Sequence, residues 1–113
     1  MKTDRVKGHL DLLVLAVLST TPAHGYAVIG LLRDRSDGVL DLPEGSVYPA
    51  LHRLEAQGLL AADWKVVEGR RRKIYRLTAR GTAALTDERR DWLALARAIE
   101  ATLRPMPAFG GAT

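Results

Sequence analysis

The stretch GSVYPALHRLEAQGLL, Gly45 to Leu60, narrows the possible folds more than any other part of this chain. Val47, Leu51 and Leu54 recur at three- and four-residue steps, the pattern of an amphipathic helix. A proline stands inside that pattern and a glycine closes it. Ser46 is expected to cap the helix by accepting a backbone N–H two or three residues on. Pro49 then falls in the first turn, where its missing N–H removes no intrahelical bond. Gly58 is expected to stop the helix in the left-handed conformation. The face opposite the apolar stripe carries Pro49, His52, Arg53 and Ala56, with Ser46 and Tyr48 at the leading end.

Directly after this helix the period changes. Leu60, Ala62, Trp64 and Val66 alternate with Ala61, Asp63 and Lys65, which is strand periodicity. Trp64 is assigned to the core, because its alternation partners Ala62 and Val66 are apolar. A turn is expected at Glu68–Arg71, with Gly69 supplying a positive φ, and a returning strand from Arg72 to Leu77. Thr78 caps a last helix that runs to about Leu103.

Upstream, residues 9–19 place Leu10, Leu13, Val14, Val17 and Leu18 on one broad apolar face, and Thr20, Thr21 and Pro22 end that helix. A second helix runs from near His24 to about Arg35, with Tyr26, Ile29 and Leu32 along one side. Ser36 to Gly45 is rich in turn formers and connects. The tail RPMPAFGGAT is expected to be disordered. The fold class is therefore mainly α with a small two-stranded antiparallel hairpin: a winged helix-turn-helix plus a long C-terminal dimerisation helix. Its expected divisions are a winged head at 1–78, the dimerisation helix at 79–104 and a tail at 105–113.

Length and charge decide what such a chain can bind. At 113 residues its own core is marginal, so a partner subunit would help. The net charge is +4, and the excess sits in one segment. Lys65, Arg70, Arg71, Arg72, Lys73 and Arg76 face a single acid, Glu68, whereas residues 82–100 mix both signs. Such a concentration is the electrostatic footprint of a polyanion site, against the plainer reading of a solvated hairpin tip. The basic, apolar start of the chain superficially resembles a signal peptide, but Asp4 and Asp11 interrupt it and no clean cleavage site follows; it reads as a helix of the mature fold. No apolar run approaches a membrane span. The absence of cysteine is compatible with the cytosol, and a cytoplasmic protein is expected.

Enzymatic chemistry finds no support. His9, His24 and His52 lack metal spacing, and no cysteine nucleophile, phosphate loop or catalytic carboxylate pair is present. No catalytic residue, metal or cofactor is expected. A helix that fits the major groove, by contrast, needs contact groups near its leading end and cations beside it. Tyr48 offers a hydroxyl, Arg53 a charged fork and Ser46 a short hydroxyl. The competing roles are a Tyr48 folded onto the domain surface and an Arg53 paired with Glu55 or Glu44. The basic hairpin one element later favours DNA. Arg70, Arg71, Arg72 and Lys73 can lie along the backbone or place an arginine in the minor groove. A dimeric winged-helix module that binds protein rather than DNA is the alternative; it would carry an acidic or apolar wing.

The segments HGYAVIGLL, GSVYPALHRLEAQGLL and GRRRKIYRLTARG, in that order and spacing, are similar to the PadR family of bacterial transcriptional regulators. The likeness covers about residues 8–104 and points to the short subgroup with one C-terminal helix. It implies a homodimeric repressor that binds an imperfect palindrome in double-stranded DNA and is released by a small molecule. It also implies DNA contacts at Tyr26, Ser46, Tyr48, Arg53 and the wing residues before KIYRLT. The wing reads GRRRK where many relatives carry a proline.

Independently of that resemblance, Leu85, Trp92, Ala96, Ile99 and Leu103 follow a heptad-like seam broken by Arg89. A long helix with little domain behind it should pair with a second copy. The first helix, through Leu10, Leu13 and Val17, is the natural neighbour. Trp92 is read first as an interface anchor and second as part of a pocket for a flat hydrophobic effector between subunits.

Overall fold

The computed structural model describes residues 3–106. Apart from Pro105 and Met106, the expected disordered tail lies outside the described residues. A single helical turn, α1 (Thr3–Val6), leads through a 3-10 turn at Lys7–His9 into α2 (Leu10–Leu18). Then follow β1 (Ala23–His24), α3 (Gly25–Arg35), α4 (Glu44–Ala56), β2 (Leu60–Val67), β3 (Arg70–Leu77) and α5 (Ala79–Leu103). No described helix is long and apolar enough to cross a membrane.

The three middle helices close around one core. Val14 and Leu15 of α2, Val28 of α3 and Val47, Leu51 and Leu54 of α4 are fully buried. Side-chain hydroxyls finish α2: Ser19 donates to the Ala16 carbonyl at 2.6 Å and Thr20 to that of Val17 at 2.8 Å. Those bonds satisfy carbonyls that the helix end leaves without a partner. Gly58 (φ +76°) ends α4, and Leu59 N–H closes back onto the Leu54 carbonyl at 3.0 Å. That is the six-to-one bond of a glycine-terminated helix.

The sheet has a strand more than the sequence suggests. β1 pairs antiparallel with β3, Ala23 opposite Tyr75 and His24 opposite Ile74, so the order is β1-β3-β2. β2 and β3 form a hairpin in which Val67 faces Arg70. Its two turn residues, Glu68 (φ +50°) and Gly69 (φ +77°), both lie at positive φ. Two-residue turns of this kind match the right-handed twist of the flanking strands. The returning strand therefore begins at Arg70, two residues before the expected Arg72.

Thr78 starts α5 as expected. Its side-chain oxygen accepts from Gly81 N–H at 3.0 Å and its hydroxyl donates to the Gly58 carbonyl at 2.7 Å. Gly81 is buried, and Ala84 and Leu85 pack against the core. Arg89 and Trp92 still border α2; beyond Trp92 the helix leaves the head, and of the residues after Leu85 only Ala96 is even half-buried. The molecule is consequently 67 Å long but 28 Å and 20 Å in its other dimensions.

Candidate nucleic-acid interface

The start of α4 differs from the sequence expectation. Ser46 does not cap the helix; Pro43 does (φ −78°, ψ 159°), and its carbonyl accepts the first intrahelical bond, from Val47 N–H at 3.1 Å. The cause lies just upstream. Leu42 and Val47 occupy the two positions of a hydrophobic staple, and both are buried in the core. Glu44 adds a carboxylate to the positive end of the helix. Pro49 accordingly sits in the helix interior and not in its first turn. It denies a partner to the Gly45 carbonyl, which is exposed and open to water. Ser46 is left without capping duty, its hydroxyl unengaged among the described residues.

Tyr48 is held by α3. Its ring lies directly over Gly25, where any Cβ would collide with it. Half-burial raises the Tyr48 hydroxyl pKa above the ordinary phenolic value, with Glu44 adding to the effect. Next to Gly25, Tyr26 points out, 63% exposed. His24 precedes both and caps α3: its Nδ1 accepts from Ala27 N–H at 3.2 Å. An accepting Nδ1 requires a neutral ring. Burial, and then the Arg72 guanidinium, pull the His24 pKa below its usual value, while Glu68 opposes them.

Along the outer face of α4, Pro49, His52, Arg53 and Ala56 are all exposed. Arg53 forms an ion pair, though not with Glu55 or Glu44. Its Nη2 donates to Asp11 on α2. Glu55 instead accepts from Lys73 of the wing at 2.7 Å, which ties β3 to α4. That bond raises the Lys73 pKa above the ordinary ammonium value, against an opposing effect of burial.

The wing overturns the assignment of Trp64 to the core. The indole is 58% exposed and Val66 is 74% exposed. Register explains this. Leu60, Ala62, Trp64 and Val66 do share the core-facing side with Tyr75, Lys73 and Arg71. Only the base of the hairpin has helices behind it, so burial ends at Tyr75. Arg71 lies over the Trp64 ring, 4.9 Å from its centroid, and Lys73 lies 5.1 Å from that of Tyr75. Arg70 and Arg71 are exposed; Arg72 and Lys73 are half-buried.

These groups meet around one cleft of about 250 Å³. Tyr26, Tyr48 and His52 line it from the helices; Trp64, Arg71, Arg72 and Lys73 line it from the wing. Ser46, Pro49, Arg53 and Arg70 do not line it. The sequence signals missed His24, Asp11 and Glu55 as parts of this surface. Of these, only Glu55 lies on the helix singled out.

The second candidate surface divides differently. Leu10 and Val17, assigned to a subunit interface, are 7% and 3% exposed within the chain's own core, so they have no surface to offer a partner. They turn inward because α2 must cover α3 and α4. Its open side shows Leu12, Leu13 and Ala16, which with Leu40, Leu85 and Trp92 line an apolar groove of about 590 Å³. On α5, Trp92, Ile99 and Leu103 are exposed, Leu103 by 75%.

A family model described as the transcriptional regulator PadR-like family matches residues 14–87, from α2 into the first turns of α5. The chain is 54% identical over 55 residues to the transcriptional regulator Rv3488 of Mycobacterium tuberculosis. That match spans 49% of this chain and 51% of the relative, about half of each. Among solved structures, a transcriptional regulator from Clostridium thermocellum superposes with a TM-score of 0.82 at 25% identity, covering 89% of this chain and 99% of that one. A PadR family transcriptional regulator from Eggerthella lenta gives a TM-score of 0.79 at 33% identity, covering 91% and 88%.

Proposed function

The chain belongs to the PadR-like family of transcriptional regulators, DNA-binding proteins rather than enzymes, and we propose that it acts as a homodimeric repressor whose two α4 helices read an imperfect palindrome. One observation carries this reading: the exposed end of α4 and the basic wing converge on a single cleft. In a duplex complex α4 enters the major groove. Ser46, Tyr48, Pro49, His52 and Arg53 face bases and nearby phosphates, Tyr26 supports them from α3, and Arg70 to Lys73 follow the flanking backbone. Residues 1–78 form the reading head and residues 79–104 the dimerisation helix.

The exposed apolar seam of α5 supports dimerisation, with Leu13 rather than Leu10 or Val17 contributing from α2. A two-fold dimer must set its recognition helices about 34 Å apart, one turn of the duplex. Trp92, on the wall of the α2–α5 groove, is suited to a flat hydrophobic effector. Such a ligand releases DNA if it prefers a spread arrangement of the two heads.

Duplex binding measured against salt tests the central claim. If each subunit neutralises about three phosphates, the log–log slope for the dimer is roughly −5. Arg53→Ala should weaken binding strongly without changing the dimer, and Tyr48→Phe should weaken it less. A salt-independent affinity, or an Arg53→Ala protein with unchanged affinity, contradicts the proposal.

A further inference from the structure

The hairpin face that continues the core beyond Tyr75 meets a helix only in part, through Lys73 and Glu55 of α4, yet it carries the largest side chain of the wing. Register sets Trp64 opposite Lys73 and Val66 opposite Arg71, and the Arg71 guanidinium lies over the indole. Three nearby cations are held by carboxylates. Arg53 is tied to Asp11, Lys73 to Glu55 and Arg76 to Asp63. Each must give up, at least in part, a carboxylate before it serves a phosphate. The partner of Arg71 is a π face.

That difference has a chemical consequence. Stacking uses the flat face of the guanidinium and leaves its in-plane N–H groups free for acceptors. It also restricts a long side chain that otherwise loses its freedom only on binding. Arg71 stands second in β3, close to the hairpin tip, where it can reach past the major-groove site. A narrow A·T-rich minor groove attracts an arginine through its enhanced negative potential.

We propose that Trp64 is the positioning residue for Arg71: the indole pre-orients the guanidinium for entry into the minor groove flanking the site read by α4. This rests on the DNA-binding reading above. The indole is too large to follow and stays at the groove rim against the sugars. The wing thereby selects for flanking sequence by groove width, without a base contact from the indole.

The test uses full-length wild type, Trp64→Ala, Trp64→Phe, Arg71→Ala and the Trp64→Ala/Arg71→Ala double variant. Each is titrated onto duplexes that wild type has retained from a random pool, rebuilt with either an A-tract or a G·C flank. Trp64→Ala and Arg71→Ala should each weaken binding to the A-tract duplex by roughly three- to tenfold, with much less effect on the G·C duplex. The double variant should be no worse than Arg71→Ala alone, since the two side chains act as one unit. Trp64→Phe should recover part of the loss, because a phenyl ring still offers a face. In the free protein, ring-current shifts of the Arg71 side-chain protons should vanish in Trp64→Ala while the melting temperature holds. Additive losses, or a Trp64→Ala protein with an undiminished preference for the A-tract flank, overturn the positioning role alone. A wild-type protein that retains no duplex overturns the DNA reading, and this proposal with it.

Discussion

Arg53, on the outer face of α4, donates its guanidinium N–H to Asp11, which is 42 residues away on α2. The cation offered to DNA is thus already engaged by a carboxylate of the same chain. Both side chains are substantially exposed, and pairs of this kind contribute only about 0–1 kcal/mol. A duplex can displace Asp11 at little expense, but the acid remains nearby to repel phosphates.

Asp11→Asn should therefore tighten DNA binding while hardly changing the fold. We expect the melting curve to move by less than about 1 kcal/mol. Affinity at low salt should rise several-fold, and the gain should shrink as salt screens the surface. Titrations at two ionic strengths would check this; a weaker Asp11→Asn complex would mean that the carboxylate orients Arg53 instead of competing for it.

Gly25 is the seat of the Tyr48 ring. Gly25→Ala forces that ring off its place, a small-to-large change at a close contact with a cost of about 1–3 kcal/mol. Both stability and DNA affinity should fall. Gly8→Ala makes a fair control, since open space surrounds that position. If Gly25→Ala melts like wild type and binds like wild type, Tyr48 is not fixed in the way the packing indicates.

The His24 cap introduces a dependence on pH. The folded ring resists protonation, so its pKa lies below 6.5 while the unfolded chain titrates near 6.5. As pH falls through that window the unfolded state takes up protons first, and stability drops; above it, the contribution is complete. Protonation also ends the bond from Ala27, and losing a helix cap costs about 0.5–2 kcal/mol. His24→Asn retains a capping oxygen without a titrating ring. Denaturant melts at about pH 7.5 and about pH 5 should separate the two proteins at the acid end alone, and parallel behaviour there would place the sensitivity elsewhere.

On α5, Ile99→Asp puts a charge into the exposed apolar seam. The substitution should shift a dimer toward monomers in sedimentation equilibrium, because a buried unpaired carboxylate is strongly disfavoured at an interface. Arg90→Ala, about half a helical turn round from Trp92, should leave assembly unchanged. A dimer that survives Ile99→Asp undiminished is built on another face.

Much of this architecture was legible in residue order, and the misses have physical causes. The stripe Val47, Leu51, Leu54 and the stop at Gly58 follow from local chemistry alone. The expected cap at Ser46 gave way to Pro43 because Leu42 is buried beside the core, and no local rule weighs that. Alternation assigned Trp64 to the correct side of its strand, yet burial depends on how far the hairpin outruns the helices. β1 is two residues long and too short to show a period. The Asp11–Arg53 pair joins segments that only tertiary folding brings together.

Besides the helical bond from Thr82 N–H to its carbonyl, Thr78 binds three backbone groups at the junction of head and arm. Its amide reaches the Leu59 carbonyl, its hydroxyl the Gly58 carbonyl, and its side-chain oxygen the Gly81 N–H. A Cβ at Gly81 would run into the Leu59 carbonyl, so the two segments are in direct backbone contact as well. In mechanical terms the joint is a weld, and α5 is a rigid crank about 37 Å long at 1.5 Å per residue. The bonds at its base couple the crank to the end of α4, and a small turn there becomes a wide sweep at its tip. Substituting the threonine with valine would remove the two side-chain bonds and leave the Leu59 bond and the Gly81 contact in place: both halves would survive, and the joint between them would gain play without parting.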